Sequence, residues 1–343
     1  MKIAGIIATL GGLVLGTCLV AYYGFGAVAA GLLAIGWLGF LAVCAFHLGL
    51  FVLLGCAWHV LLPRPRPLGA WGFMWGRMVR DAGADVLPLT TMGGFVMGAR
   101  AVTLLGLPAS LAFASTVVDV TLELVGEIAY TALGLVLLVS YRPDASFAYP
   151  AIVGLALAVA ATGAFIAAQR TGVRLVERLA GKLAARWMPA AIVHAAAVQD
   201  AIEELYRQRR GLGLGLALHV LAWLGSAVEA WLALRFLGHP LSLGAVLAIE
   251  SLVYATRSVA FVVPNAIGVQ EGAYVVLGAL FGLGPQAALA LSLLKRGRDL
   301  LIGVPALLSW QAVESRRLLR PPAAASTADP YSSSQSASPP GGT

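Results

Sequence analysis

Apolar residues run along this chain in long blocks, and each block reaches the roughly 20 residues that an α-helix needs to cross a bilayer. The blocks lie near 3–23, 37–62, 109–140, 148–168, 211–237 and 285–313. This pattern predicts about six transmembrane helices in an all-α integral membrane protein. The first block leads to Ala21-Tyr-Tyr-Gly rather than to a small-residue cleavage site, so we interpret it as a retained helix.

Two further apolar regions, 67–107 and 240–284, are interrupted by glycine and proline. The first contains Pro88 and ends just before Pro108, whereas the second contains Pro264 and ends just before Pro285. Because proline ends or kinks a helix, neither region predicts a single continuous span.

The positive charges indicate how these regions are inserted. Basic residues gather at Arg64 and Arg66, between Arg170 and Arg210, and at Arg316, Arg317 and Arg320. The positive-inside rule places these segments and both termini in the cytoplasm. Alternation of the spans then makes 67–107 begin and end at the cytoplasmic face, and 240–284 at the outer face. We therefore expect two re-entrant helical segments that enter the membrane from opposite sides.

The two interrupted regions also resemble each other in spacing. Arg80 precedes Pro88 by eight residues and Arg257 precedes Pro264 by seven, and the prolines that open the next helices follow 20 and 21 residues later. Weak similarity with opposite insertion is typical of the inverted repeats of transporters, although chance resemblance between glycine-rich segments is the alternative. The repeat-like halves would be about 37–140 and 211–313.

The rest of the chain divides into a linker and a tail. Basic residues recur every three or four positions within 170–210 between apolar ones, which predicts either a cytoplasmic amphipathic helix on the membrane surface or an ordinary basic loop. Residues 321–343 are mostly proline, alanine, serine and glycine, a composition that predicts a disordered tail. We therefore assign 1–320 to one polytopic membrane domain.

Composition narrows the range of functions. Only 11% of the residues are charged and 59% are hydrophobic, whereas soluble domains carry about 25% charged residues. The net charge of +7 comes from span ends, so we expect no nucleic-acid partner. The spacing of the cysteines and histidines fits no metal site, and no ATP-binding or serine-hydrolase motif occurs. We predict no cofactor, although Asp81 and Asp85 match the D-x-x-x-D spacing of a metal-bound diphosphate site.

Charged residues inside apolar text are the candidate functional groups, because ionised side chains are costly in hydrocarbon. Asp119 lies eleven residues beyond Pro108 and Arg296 eleven beyond Pro285, which places both about 16 Å into the membrane. We expect the acidic face of Asp119, Glu123 and Glu127 to pair with the charges around Arg296. The alternative for each residue is a purely structural salt bridge. The predicted substrate-binding set is Arg80, Arg100, Asp119, Glu123, Arg257, Asn265, Gln270, Glu271, Arg296 and Asp299.

Arg257 and Glu271 stand apart within this set because they flank a Pro-Asn-x-x-Gly break. Helix ends freed by such a break bind anions readily, especially beside an arginine. We expect a phosphate-bearing lipid head group to be held there.

The stretch Pro264-Asn-Ala-Ile-Gly-Val-Gln-Glu-Gly resembles the flippase-like family named for the transmembrane region of lysylphosphatidylglycerol synthase. Gly93-Gly-Phe-Val-Met-Gly-Ala-Arg, 268–282 and 290–305 are similar to its hopanoid-associated HpnL branch. The resemblance covers about 1–320 and implies a multi-pass protein of the bacterial inner membrane. It implies lipids, phospholipid or hopanoid, as partners, together with membrane proteins of hopanoid biosynthesis. The soluble aminoacyl-transfer domain of the synthase has no counterpart after Arg320.

The sequence thus predicts a lipid flippase or transporter rather than an enzyme. The alternatives are a lipid- or isoprenoid-modifying membrane enzyme that uses Asp81, Asp85 and Glu271, and a non-catalytic scaffold for hopanoid enzymes. The lipid moved, its direction, the energy source and the oligomeric state stay open at this level.

Overall fold

The computed structural model describes residues 33–85, 91–142, 152–167, 189–260 and 263–319, together with six single positions between 21 and 169. Every regular element within these ranges is helical. The α-helices are α1 Gly36–Val60, α2 Ala70–Asp85, α3 Thr91–Leu104, α4 Ala109–Tyr141, α5 Ile152–Ala167, α6 Pro189–Arg207, α7 Arg209–Phe236, α8 Leu243–Val259, α9 Val269–Leu280 and α10 Pro285–Leu319. A 3-10 turn, Pro264–Ala266, lies between α8 and α9.

Three of the described helices, α1, α4 and α7, are long and apolar enough to cross a membrane. They match the predicted blocks 37–62, 109–140 and 211–237 to within about two residues. The blocks at 148–168 and 285–313 correspond to α5, with 16 residues, and to α10, which is long but carries four charges at 295–299. The predicted span 3–23 apart from Ala21 and Tyr22, the tail 321–343 and residues 170–188 of the linker lie outside the described residues.

Each interrupted region contains two helices. Region 67–107 holds α2 and α3, and region 240–284 holds α8 and α9. Pro108 immediately precedes α4, and Pro285 is the first residue of α10, where a missing N–H costs nothing. Asn265 and Ala266 have φ of 49° and 44°, in the left-handed region, and Gly268 has φ of 80°. The chain therefore cannot continue as one helix from α8 into α9.

The first helices of the two halves, α1 and α7, lie antiparallel. Gly39, near the start of α1, faces Phe236 at the end of α7, while Gly211, near the start of α7, faces Val60 at the end of α1. Both close approaches use glycine, because a Cβ at Gly211 would lie 2.8 Å from the Val60 carbonyl oxygen.

The long helix α4 runs in the same direction as α7. Gly215 of α7 faces Leu122 of α4, and Trp223, two turns later, stacks on Tyr130 with ring centroids 5.7 Å apart.

The long helix α10 instead runs in the direction of α1. Gly297 of α10 faces Phe40, early in α1. Trp75 of α2, which follows the Met74 that packs on Gly55 of α1, donates a 2.9 Å hydrogen bond to Ser309 of α10. Helix α1 therefore points in the direction opposite to α7, and α4 in the direction opposite to α10.

Packing interlocks the two halves. Helix α2 packs against α10, and its counterpart α8 packs against α4. One buried apolar cluster joins α1, α2, α3, α4 and α6 around Trp58 and Phe73, and a second joins α1, α7, α8, α9 and α10 around Ile249 and Leu291. Because α1 contributes to both clusters, the core of the second half is completed by a helix of the first.

Candidate functional site

Two arginines of α2 face two carboxylates of α4. Arg77 and Arg80 are three residues apart and Asp119 and Glu123 four, so each pair occupies one helix face. Arg80 Nη1 lies 3.0 Å from Asp119 Oδ2, and Arg77 Nη1 lies 3.1 Å from Glu123 Oε2. Both arginines also contact Asp81, one turn along α2 from Arg77. This network binds α2 firmly to α4.

The innermost member of this network is Asp119, whose side chain is fully buried. His219 of α7 is also fully buried, and its Nε2 lies 2.9 Å from Asp119 Oδ1. Phe95 of α3 covers Arg80, with the guanidinium 5.0 Å from the ring centroid. An unpaired buried charge is strongly destabilising. The number of partners around Asp119 therefore explains how a carboxylate is tolerated here.

In the second half the acidic residue lies on α8 and the basic residue on α10, which is the reverse of the arrangement on α2 and α4. Glu250 of α8 accepts a 2.5 Å bond from Lys295 Nζ of α10 and a 2.5 Å bond from the hydroxyl of Tyr274. Lys295 also lies above the rings of Tyr254 and Tyr274, at 5.1 and 5.6 Å from their centroids. Glu250, Lys295 and Tyr274 are all buried, which is typical of a group that holds helices together, here α8, α9 and α10.

Glu271 fixes the start of α9. Its Oε2 accepts a 2.7 Å hydrogen bond from the Gly268 N–H, and its two oxygens lie 2.6 and 3.1 Å from the guanidinium of Arg296. Ser292 donates a further 3.0 Å bond to Glu271, and Gln270 donates one of 2.8 Å to Ser292. The helix end that we expected to bind an anion is thus already capped by a carboxylate of the protein.

A third buried group connects α7, α10 and α1. One carboxylate oxygen of Glu229 contacts Arg298, and the other, Oε2, lies 2.7 Å from His47 Nδ1. Arg298 lies 2.6 Å from Asp299 as well. Asp299 is partly exposed and Glu229 is buried, so Arg298 links the interior of the bundle to an accessible carboxylate.

The breaks within the two interrupted regions meet at Asp85, the last residue of α2. Arg257 Nη2 lies 3.4 Å from Asp85 Oδ1 and 3.1 Å from the side-chain oxygen of Asn265. Asn265 in turn donates a 2.9 Å bond to the Asp85 carbonyl. The break after α8 therefore touches the end of α2, although the two are 180 residues apart in sequence.

Exposure separates these charged groups into two classes. Asp119, Glu250 and Glu271 keep at most 4% of their side-chain surface exposed. Asp85 and Arg257 keep 28% and 19%. Four more charged side chains are also between 16% and 26% exposed, namely Asp81, Glu123, Arg296 and Asp299. The accessible class is the part of the network that a ligand can reach.

The structure brings nine of the ten predicted site residues into these networks. Arg100 is the exception: it is 39% exposed and pairs with Glu314 near the end of α10. The expectation that the acidic face of α4 pairs with the cations around Arg296 is wrong. Asp119 and Glu123 pair with arginines of α2, and Arg296 pairs with Glu271 of α9, because it is the arginine side chains of α2 that reach that face of α4.

Sequence reasoning missed several partners in these networks. Arg77, His219, Glu229 and Glu250 were not singled out as site residues, yet each is buried in an ion pair. Their position inside apolar segments of the sequence could have identified them as candidates. Arg77, for example, lies three residues before Arg80 and four before Asp81.

Asp81 and Asp85, which have the D-x-x-x-D spacing, do not form a pair of free carboxylates that could bind a metal ion. Asp81 is held by Arg77 and Arg80, and Asp85 faces Arg257. Among the residues that the structure describes, no group of three or more histidine, cysteine or acidic side chains is placed to hold a metal ion.

Long apolar helices, interlocked halves and charges buried between them define a polytopic helical membrane protein with an internal polar site. Its sequence matches the family model described as the lysylphosphatidylglycerol synthase TM region over residues 3–306, and the chain belongs to that family. No curated protein and no solved structure shows significant similarity to it. The protein is therefore a membrane protein of a lipid-related family.

Proposed function

We propose that this protein is a lipid transporter that moves a phospholipid or hopanoid lipid between the two leaflets of the membrane. The contact of Asp85 with Arg257 and Asn265 carries the proposal. In this contact, accessible charged groups lie where the breaks of the two interrupted helical regions meet, between helices that are otherwise apolar. A polar lipid head group needs such a site to pass through a bilayer.

The proposed architecture is an inverted repeat with two oppositely inserted re-entrant regions, α2–α3 and α8–α9. The antiparallel arrangement of α1 and α7 and the opposite directions of α4 and α10 support it. In such repeats, broken helices meet near the middle of the membrane and form the substrate site. If α2 enters from the cytoplasm and α8 from outside, Asp85 and Arg257 meet at that depth.

The accessible arginines are the groups that would bind a lipid phosphate. Arg257 is held by a 3.4 Å contact to Asp85 and by the neutral oxygen of Asn265, so a phosphate could replace these partners. Arg296 is bound more tightly, by both oxygens of Glu271. We therefore assign the first contact with the head group to Arg257 and a positioning role to the pair of Arg296 and Glu271.

Localisation and biological context extend the proposal. The basic segments at Arg64 and around Arg316 favour cytoplasmic termini in a bacterial inner membrane. The resemblance of 268–282 and 290–305 to the HpnL branch connects the protein with hopanoid biosynthesis, which makes a hopanoid the lipid to test beside phospholipids.

A vesicle assay tests the proposal. Purified protein is reconstituted with a fluorescent phosphatidylglycerol or a labelled hopanoid in one leaflet, and exchange is followed by quenching from outside. We expect exchange above that of protein-free vesicles, and loss of that excess in Arg257→Ala. An unchanged background rate for both lipids would contradict transport. Magnesium-dependent chemical change of the lipid would instead establish the enzyme alternative.

A further inference from the structure

Glu127 differs from the other carboxylates of the helix bundle. Asp119, Glu123 and Glu127 recur every four residues on α4, and the first two are bound by arginines of α2. In the described residues, every other carboxylate on α2, α4 and α7 to α10 has a cationic side chain within 4 Å. Within the described part of the chain, Glu127 accepts a hydrogen bond from the hydroxyl of Ser258 on α8 and forms no ion pair.

The charged groups on the helices around α4 are engaged elsewhere. On α2, Arg77 and Arg80 bind Asp119 and Glu123, and on α7, His219 binds Asp119. Other charged groups on these helices and their neighbours are also paired: Asp81 with the α2 arginines, Asp85 with Arg257, Glu250 with Lys295, Glu229 with Arg298 and His47, Arg100 with Glu314, and Arg207 with Glu204. On α6, Glu203 accepts a hydrogen bond from Gln199, and Asp200 is exposed.

Arg257 is the cation that influences Glu127 most directly from α8. It immediately precedes Ser258, and its positive charge attracts the negative charge of Glu127. Its guanidinium nevertheless bonds to Asp85 and Asn265 rather than to Glu127. An unpaired carboxylate among apolar helices is stabilised by taking up a proton. Ser258 is exposed, so water can deliver that proton to the Glu127 oxygens.

We propose that Glu127 is a proton-binding site whose occupancy controls the binding of a lipid phosphate at Arg257. The inference rests on the proposed lipid-transport function. Uptake of one proton from water converts the carboxylate to a neutral carboxyl group, which removes one negative charge beside Arg257. A phosphate approaching Arg257 then meets less repulsion. By linkage, a bound phosphate strengthens proton uptake by the same factor.

The sign of the coupling follows from the charges. Lower pH protonates Glu127 and makes its surroundings more positive, so an anionic lipid binds more tightly. Higher pH ionises Glu127 and weakens that binding. Glutamine has the shape of the protonated side chain but does not titrate, so Glu127→Gln should bind the lipid tightly at every pH.

The first experiment measures the affinity of the full-length protein for fluorescent phosphatidylglycerol in detergent micelles between about pH 5 and pH 9, a range in which ordinary exposed carboxylates are already ionised. Wild type should lose affinity as the pH rises, whereas Glu127→Gln should keep the wild-type low-pH affinity throughout. Glu204→Gln, an exposed carboxylate on α6, should titrate like wild type. A wild-type pH dependence that persists in Glu127→Gln would overturn the proposal.

The second experiment detects the bound proton directly and does not depend on lipid transport. Infrared difference spectra of wild type between high and low pH should show the C=O stretch of a protonated carboxyl group, and the band should be absent from Glu127→Gln. A band that survives this substitution would assign the proton to another group and overturn the proposal. If the band is lost as expected but vesicles show no lipid exchange, the proton site stands and the transport function fails.

Discussion

Arg257 and Glu271 flank the same break between α8 and α9, but their surroundings differ. Arg257 is partly exposed and has one charged partner at 3.4 Å, whereas Glu271 is buried and has four hydrogen bonds. A ligand can therefore displace the partners of Arg257 at low cost. Displacing Glu271 would expose the start of α9 and leave Arg296 unpaired.

We predict that Arg257→Ala abolishes lipid exchange while leaving the fold intact. The substitution removes the positive charge that would bind the phosphate, and Asp85 is 28% exposed, so water can solvate it afterwards. Thermal unfolding in detergent and leaflet exchange in vesicles would measure the two effects. Arg100→Ala, which removes an arginine from the peripheral pair with Glu314, serves as the matched control and should retain exchange. A large loss of stability in Arg257→Ala would make Arg257 structural.

We predict the opposite result for Glu271→Gln. It leaves Arg296 without its anion, and breaking such a pair costs on the order of 3–5 kcal/mol when it is buried. Arg296→Gln should destabilise as much, because it leaves Glu271 charged and buried. The double variant should lose less stability than the sum of the two, which denaturant unfolding in detergent would show. Additive losses would mean that the two charges do not stabilise each other.

The identity of the charged residues could be read from the sequence, but their partners could not. Charge inside an apolar block identified Asp119, Glu123 and Arg296 as members of ion pairs inside the helix bundle. Their pairing depends on which helix lies against which face, and that is a property of tertiary packing. Equal spacing from Pro108 and Pro285 suggested that Asp119 and Arg296 meet, yet equivalent positions of two repeats need not touch.

At the level of helices, proline and glycine predicted where the chain breaks. The helices α4 and α10 begin directly after or at Pro108 and Pro285, and the turn at Pro264 has left-handed residues that separate α8 from α9. These local signals depend only on backbone sterics, so they hold without knowledge of the fold. Backbone sterics do not decide from which side of the membrane each pair of helices enters. We infer that side from the distribution of basic residues along the chain.

We predict that both ends of region 240–284 face the outside. Single cysteines at Ser242 and Gly284, both exposed, should react with an impermeant thiol reagent added to intact cells. A cysteine at Gly106, exposed at the end of the first interrupted region, should react only after the membrane is opened. The native cysteines must first be replaced. Labelling of Ser242 and Gly284 from opposite sides would mean that the region crosses the membrane, and the inverted repeat would be lost.

At the level of the whole molecule, the two halves exchange contacts. Helix α2 packs on α10 of the other half, α8 packs on α4, and α1 lies against α7 along its length. The ion pair of Arg257 with Asp85 also crosses between the halves. Neither half can bury its apolar and charged surfaces alone, so we expect the bundle to form only when both are present.

We predict that the protein can be split within the linker and reassembled. Fragments 1–181 and 182–343, expressed together, should copurify and exchange lipid in vesicles, because the interfaces of α2 with α10 and of α8 with α4 are noncovalent. Each fragment alone should be degraded, since the carboxylates of α4 and α10 would lack the packing that encloses them. Introducing Gly134→Leu in the first fragment, where a Cβ on α4 would overlap the Ser251 side chain of α8, should prevent assembly. A stable, monodisperse single half would show that the halves are independent domains and that their interlocking is not what holds the bundle together.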